Sequence, residues 1–270
     1  MKTNLKYTFK MMSLLVGLTL LTPSCEYKSI VDVEYPAGLL YLPAAINGVY
    51  TIDALTQKNL AVPTPGELYR YKVNTETNRF EVPLGVFRSG VNPGGEINVN
   101  IEANPTAVSE LIDNNTLTDT EILPADKYDI SITELEMAAG ADHAVFNISV
   151  DFAFLKQHAP QKYAFAISIS SSAQETNPNL GTVVVLIDTK ILIPKAQFTA
   201  QPDDMDSKKI AFKSGSTFAL AYAWNFGDGQ TSTEENPVHA YETAGDYNVE
   251  LTVTGLCGDT NSFQQTVQVM

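Results

Sequence analysis

Apolar and polar residues alternate with a period of two along most of the chain after residue 37. Successive side chains of a strand point to opposite faces, so this alternation predicts strands with one buried face. The clearest runs are residues 80–86, 97–101, 146–154 and 163–169. Residues 183–187 are apolar on both faces, which predicts a central strand. Turn sequences rich in Gly, Pro and Asn separate the runs, a spacing typical of a β-sandwich.

Two short helices interrupt this pattern. Residues 105–113 follow Asn104, which is a good N-cap residue, and Pro105 suits the first helical position. Residues 154–158 predict a single helical turn that ends before Pro160. We expect residues 191–195 to form a short hinge that leads into the C-terminal part of the chain.

The C-terminal part centres on a strand, a tight turn and a second strand. Trp224 and Phe226 are two residues apart, so they point to one face of the first strand. Residues 227–229, Gly-Asp-Gly, tolerate the positive φ of a turn, and Asp228 can accept hydrogen bonds from nearby backbone N–H groups. Residues 247–253 then place Tyr247 and three aliphatic side chains on one face of the second strand.

The sequences WNFGDG, ENPVHAY and AGDYNVELTVT resemble the PKD (polycystic kidney disease) repeat, and the resemblance covers about residues 194–270. It implies an immunoglobulin-like sandwich with Trp224 in the core and Tyr247 at the tyrosine corner. Val249 stands where antibody domains have a cysteine, so apolar packing closes this core. The resemblance favours Trp224 as a core residue over a sugar platform, and Asp228 as a turn residue over a metal ligand.

The sequences VPLGVFRSG, INVNIEA, ILPADKYDI and YAFAISISSS resemble a Bacteroidota family of unknown function, over about residues 35–193. Members of that family occur at the N-terminus of surface lipoproteins and of some secreted glycan-degrading enzymes. The resemblance therefore implies a place in carbohydrate utilisation or surface adhesion.

The N-terminus predicts an exported lipoprotein. Three lysines precede the apolar run of residues 11–21, which is long enough for a signal peptide and too short for a membrane span. The following LLTPSC resembles the loose lipobox of Bacteroidota lipoproteins, although Thr22 and Pro23 depart from the strict pattern. Processing would remove residues 1–24 and leave Cys25 lipidated. The alternative is an ordinary signal peptide with an incidental cysteine.

The charge of −14 and the pI near 4.5 exclude a phosphate-backbone partner, so we expect no nucleic acid. No metal-binding His-x-x-x-His, phosphate loop or G-x-S-x-G elbow occurs in the sequence. We therefore expect no catalytic residues, no cofactor and no metal, and hence no enzyme. The acidic residues 203–206 could attract calcium, but their spacing favours a solvated loop.

Sugar binding needs exposed aromatic faces, and the candidates are Tyr50, Tyr69 and Tyr71, although tyrosine is a common strand residue and packing in the core or a sheet is favoured for each. We expect an all-β chain of two immunoglobulin-like sandwiches in tandem after a lipoprotein signal peptide. The predicted parts are a signal peptide (1–24), a tether (25–36), a sandwich of unknown function (37–193) and a PKD-like domain (194–270). The predicted function is capture of a polysaccharide by a lipid-anchored protein on the surface of the outer membrane. The alternative is a structural or adhesion lipoprotein whose PKD-like domain is a spacer or docks a surface protein.

Overall fold

The computed structural model describes residues 38–55, 64–66, 69–90 and 94–270. The predicted signal peptide, Cys25 and the tether lie outside these described residues. The described residues form two β-sandwiches in tandem, as the alternation predicts. The division of the chain between residues 193 and 194 stays a prediction.

The first sheet of the N-terminal sandwich is antiparallel. Its strands are β1 (Leu40–Tyr41), β3 (Lys72–Asn74), β4 (Arg79–Arg88), β7 (Tyr128–Ile130) and β9 (His143–Asp151). Their order is β1-β4-β9-β7, and β3 pairs with β4. The long central pair runs from Arg79 opposite Asp151 to Phe87 opposite His143.

The second sheet is mixed. Its strands are β2 (Val49–Ile52), β5 (Ile97–Ala103), β6 (Thr120–Ile122), β8 (Glu134–Met137), β10 (Lys162–Ser170) and β11 (Thr182–Asp188). Their order is β2-β11-β10-β5-β8, and β6 pairs with β10. The pairs β2·β11 and β6·β10 are parallel, which departs from the antiparallel immunoglobulin pattern.

The core of the N-terminal sandwich lies between these sheets. Phe80, Val82, Leu84 and Val86 of β4 are fully buried, so the apolar positions of the sequence pattern face inward. A second apolar cluster on the outer face of the second sheet joins Val108 of a helix to Ala164 and Val184 of the sheet. Strands β10 and β11 are therefore covered on both faces, and this explains why residues 183–187 lack polar positions.

Helix α1 (Pro105–Asp113) has the predicted bounds, and the side chain of Asn104 accepts a hydrogen bond from Ala107 N at 3.2 Å. Helix α2 (Phe152–His158) begins two residues earlier than predicted. The prediction that strand alternation continues to residue 154 is wrong, because Asp151 caps the helix by accepting a hydrogen bond from Phe154 N at 3.1 Å. Short 3₁₀ helices span Pro43–Ala45, Ala125–Lys127 and Thr189–Leu192.

The C-terminal sandwich has one sheet of three strands and one of four. The first contains β12 (Phe198–Pro202), β13 (Lys209–Ser214) and β16 (Val238–Ala240), in this order. The second contains β14 (Ala221–Asn225), β15 (Thr231–Ser232), β17 (Gly245–Thr254) and β18 (Thr260–Val269), in the order β15-β14-β17-β18.

Trp224 lies at the centre of the C-terminal core with 1% of its surface exposed. The ring centroids of Phe198 and Phe212 lie 5.0 and 5.4 Å from that of Trp224, and Phe226 is buried beside them. The indole N–H donates to Glu234 O at 2.8 Å, so the polar atom of this buried ring is satisfied. Val249 is fully buried at the position of the antibody cysteine.

Tyr247 makes the contact that defines a tyrosine corner. Its hydroxyl donates to Thr243 O at 2.9 Å, four residues upstream, and its ring centroid lies 4.1 Å from that of Tyr241. This bond ties the loop before β17 to the start of the strand.

The connection between the two sandwiches is anchored in the first core. Ile191 and Leu192 are 0% and 2% exposed and belong to the N-terminal core, so the prediction of a hinge is wrong for these two residues. Leu256 and Cys257, in the turn between β17 and β18, pack against the same core. Apolar burial therefore fastens the C-terminal sandwich to the N-terminal one at two points.

Candidate functional site

Two of the three tyrosines predicted as sugar platforms are buried. Tyr50 lies in β2 with 4% exposure, and the Arg70 guanidinium lies 4.2 Å from its ring centroid. Burial raises the pKa of the Tyr50 hydroxyl. Tyr71 is 6% exposed, and its hydroxyl donates to Ala54 O at 3.1 Å. The prediction of exposed aromatic faces is wrong for Tyr50 and Tyr71, because both rings face the interior of the sandwich.

Tyr69 differs from the other two. It is 40% exposed and lies just before β3, so its ring is accessible to a ligand. A single exposed tyrosine is common on protein surfaces. Its role in sugar binding stays a prediction.

Asp228 forms two kinds of contact in the turn after β14. One carboxylate oxygen accepts a hydrogen bond from Gln230 N at 3.0 Å, as expected of a turn residue. The other lies 2.7 Å from Nε2 of His239, whose side chain is 8% exposed. The His239 ring stacks on Phe226 at 4.2 Å between centroids and meets Tyr241 edge-on at 4.5 Å. No local signal in the sequence indicated that His239 would lie against Asp228.

The protonation of Asp228 follows from opposing effects. Burial alone would raise the pKa of this carboxyl, but the hydrogen bonds from Gln230 N–H and from His239 outweigh it and hold the pKa below its ordinary value. Burial, with the Asp228 charge second, raises the pKa of the Tyr241 hydroxyl beneath it. The folded sandwich therefore favours the ionised carboxylate.

Replacing Asp228 by Asn should lower the free energy of unfolding by about 1–2 kcal/mol at neutral pH, since a charge-assisted hydrogen bond is lost. Because the pKa of Asp228 is lower in the folded than in the unfolded protein, its ionised carboxylate stabilises the fold above the unfolded-state pKa. This stabilisation is lost as the pH falls through the folded-state pKa. The difference between wild type and Asp228→Asn should therefore shrink below pH 3.8. Denaturant titration followed by the fluorescence of Trp224, the single tryptophan, measures both effects.

The matched control is Asp204→Asn, which removes an exposed carboxylate from the 203–206 loop. It should change the unfolding free energy by less than about 0.5 kcal/mol. A pH-independent difference for Asp228→Asn would contradict the role of its charge.

Two depressions share the loop between α2 and β10, and we call them together the junction groove. The N-terminal sandwich alone lines the first depression, and the second lies where the two sandwiches meet. The first has a volume of about 240 Å³ and is lined by Asp119, His158, Pro160, Gln161, Lys162 and Lys190. The second has a volume of about 210 Å³ and is lined by Lys156, Ala159, Leu192, Ile193, Pro194, Asp259, Thr260 and Asn261. The second depression takes residues from both sandwiches.

Hydrogen bonds hold the walls of the junction groove. The buried Thr189 hydroxyl donates to Gln161 O at 2.6 Å and ties the 3₁₀ helix to the α2–β10 loop. Gln161 Nε2 donates to Asp119 O at 3.2 Å. Nδ1 of His158 lies 2.8 Å from Phe154 O, so it carries the proton, and Nε2 is an acceptor while the ring is neutral. The walls are therefore positioned before any ligand arrives.

The first depression is basic within an acidic protein. Two lysines and one aspartate line it, whereas the whole chain carries −14. Ammonium groups, an imidazole nitrogen and an amide are donors and acceptors that suit hydroxyl and carboxylate groups. The arrangement can therefore bind a polar ligand and favours one with negative charge.

The C-terminal sandwich meets α2 through an ion pair and a close contact. Lys156 Nζ lies 2.8 Å from an Asp259 carboxylate oxygen, a bond that raises the pKa of Lys156. Both side chains are more than 40% exposed, so this pair adds little stability. The second contact is the close approach of Gly255 to Pro194 in the connection between the sandwiches. A Cβ atom at position 255 would lie only 2.8 Å from Pro194 Cδ. The junction therefore needs glycine at this position.

Replacing Gly255 by Val should push the β17–β18 turn away from Pro194 and expose the partly buried Cys257. Overpacking of this kind costs about 1–3 kcal/mol, which corresponds to a roughly five- to 150-fold change in the open population. The rate of thiol modification in a Cys25→Ala background measures this open population, because Cys257 is then the one cysteine.

Gly215→Val is the control, because the nearest atoms to a Cβ at Gly215 lie 3.9 Å away. Equal thiol rates in the Gly255 and Gly215 variants would show that the turn is not packed as described.

Within residues 38–55, 64–66, 69–90 and 94–270, no three His, Cys, Asp or Glu side chains are grouped as metal ligands. In the 203–206 loop the Asp203 carboxylate accepts hydrogen bonds from Met205 N and Asp206 N, as in a turn. The described helices are all too short or too polar to cross a membrane.

Two tandem β-sandwiches with a polar groove at their junction define a binding or adhesion-type module. Residues 193–270 match the family model of the PKD domain, and this part of the chain belongs to the PKD domain family. A second model, described as an N-terminal domain, matches residues 46–176. Both matched segments are of accessory, non-catalytic kinds.

The curated relatives are much longer proteins, and this chain spans 12% or less of their length. Pre-pro-metalloprotease PrtV of Vibrio cholerae is 35% identical over 107 residues, which is 39% of this chain. Collagenase ColA of Bacillus cereus is 49% identical over 124 residues, which is 45% of this chain. The solved PKD1 domain of the Vibrio cholerae protease is 38% identical, with a TM-score of 0.26, and the match covers 28% of this chain and 95% of that domain. The collagenases match in their PKD part and outside their catalytic domains.

Proposed function

We propose that this chain is a lipid-anchored protein of the outer-membrane surface that captures a polysaccharide in the junction groove. The observation that carries the proposal is the groove itself: the N-terminal sandwich holds the donors and acceptors of the first depression in place, and both sandwiches line the second. Ligand sites form preferentially where two domains meet. Membership of the PKD family supports a binding role over a catalytic one.

Lys162 and Lys190 add a preference among polysaccharides. Both line the first depression, where an acidic sugar residue would meet their ammonium groups. In a chain of net charge −14, such a ligand is repelled elsewhere on the surface. An acidic polysaccharide is therefore favoured over a neutral one.

Affinity electrophoresis in gels that contain acidic or neutral polysaccharides tests this proposal. Wild type should be retarded more strongly by an acidic polysaccharide, and Lys162→Ala/Lys190→Ala should weaken the affinity about tenfold, equivalent to about 1.4 kcal/mol. The control Lys208→Ala/Lys209→Ala removes the same charge from exposed positions of the C-terminal sandwich. The proposed site would be wrong if both double variants lost affinity equally, and the proposed function if folded wild type were never retarded.

The lipid anchor has its own test. Each buried acyl CH₂ contributes about 0.8 kcal/mol, so a multiply acylated Cys25 should hold the protein in the membrane fraction. Cys25→Ala should move it to the soluble fraction, and Cys257→Ala should leave it in the membrane. Protease treatment of intact cells then reports whether wild type faces outward. Retention of Cys25→Ala in the membrane would refute the anchor.

A structural or adhesion role is the second candidate. The observation that favours it is the packing of the partly buried Leu256 and Cys257 against the N-terminal core, which makes the C-terminal sandwich an extension suited to a spacer. Recovery of a stoichiometric surface protein from solubilised outer membranes, without retardation by any polysaccharide, would support this role.

A further inference from the structure

Strand β18 lies at the end of its sheet. Its first two residues, Thr260 and Asn261, lie beside the connection between the sandwiches, where Asn261 Oδ1 accepts a hydrogen bond from Ala196 N at 2.8 Å. Its ten residues pair with β17 from Thr260 opposite Thr254 to Val269 opposite Gly245. On its other side no strand of the described residues pairs with it. An open edge of this length is a template for a further strand.

The hydrogen bonds around the β17–β18 turn show which backbone groups face this edge. Leu220 N donates to Thr254 O, so this carbonyl points away from β18, while Gly255 N donates to Asp259 O across the turn. Bonding direction alternates along a strand, so the odd-numbered residues 261–269 bond to β17. The even-numbered residues present their N–H and C=O groups to the open edge: Thr260, Ser262, Gln264, Thr266 and Gln268.

The other strands at the sheet ends are shielded in recognised ways. Those of the described residues are two to five residues long: β1, β2, β7, β8, β12, β15 and β16. Strand β8 also carries Glu134 and Glu136, and β12 ends at Pro202. Short length, charge and proline all prevent edge-to-edge pairing. Strand β18 has none of these features, since it contains neither a charged residue nor a proline.

The solvent face of β18 consists of hydroxyl and amide side chains. Two of them already bond across to β17: the Ser262 and Thr252 hydroxyls lie 2.7 Å apart, and the Thr266 hydroxyl donates to Asn248 Oδ1 at 2.9 Å. Groups that both donate and accept can pair with copies of themselves. The same ladder can therefore continue onto an identical strand.

We propose that β18 pairs antiparallel with β18 of a second copy of this chain. The pairing gives a two-fold symmetric dimer, in which four strands from each copy form one sheet of eight. Side-chain chemistry argues for a second copy at this place, because hydroxyl and amide groups can donate to and accept from copies of themselves. The strip carries no charge, so it adds nothing to the repulsion between two chains of −14. This inference concerns the C-terminal sandwich and is independent of the ligand in the junction groove.

Like charges placed on this strip test the proposal. Two differently tagged copies of the full-length protein are co-expressed, extracted, and assayed for copurification. Wild-type copies should copurify, and copies that both carry Ser262→Lys/Gln264→Lys/Thr266→Lys should do so at least tenfold less, because antiparallel pairing sets lysines against lysines. Copies that both carry Glu at the same three positions should also separate.

Mixing the two variants distinguishes lost pairing from lost folding. A Lys-variant copy and a Glu-variant copy should copurify at about the wild-type level, since opposite charges then face each other across the strands. Absence of this rescue would overturn the proposal, as would a wild type that does not copurify with itself. Copurification of the Lys variant with itself at the wild-type level would also overturn it. Pairing of monomeric wild type with a different protein through β18 would overturn it too, in favour of that partner.

Discussion

The packing of the β17–β18 turn onto the N-terminal core is the contact on which the functional surfaces depend. Leu256 and Cys257 are partly buried there, and Gly255 lets the turn approach Pro194 without a side chain between them. The ion pair between Lys156 and Asp259 is too exposed to hold the sandwiches together by itself. Apolar burial therefore fixes the second depression of the junction groove and sets the direction in which β18 leaves the junction.

Elements with a strong local pattern could be predicted from the sequence. Trp224 and Phe226 lie in the core because their spacing and their flanking turn permit one arrangement, and α1 starts where Asn104 and Pro105 place it. Where two local signals competed, prediction failed. The apolar alternation from residue 146 continues to Phe154, but the Asp151 cap ends the strand and begins a helix.

The candidate site could not be predicted for a different reason. Its walls come from residues near 119, 160, 190 and 260, which only the tertiary fold brings together. Tyrosine type alone suggested Tyr50 and Tyr71, yet strand phase turns both rings inward. Likewise, the contact of Asp228 with His239 depends on the packing of two sheets, and the positions between them carry no signal for it. Polar sites that the tertiary fold assembles from several elements are therefore harder to predict from the sequence than the buried positions within one strand or helix.

The presence of Val249 at the centre of the C-terminal sandwich has a consequence for where such a protein can work. Immunoglobulin domains that join their sheets by a disulfide depend on an oxidising environment for part of their stability. Here the same space is filled by an aliphatic side chain that is fully buried against an aromatic cluster. The stability of this sandwich is therefore indifferent to the thiol–disulfide potential of its surroundings, and reductants leave its core intact.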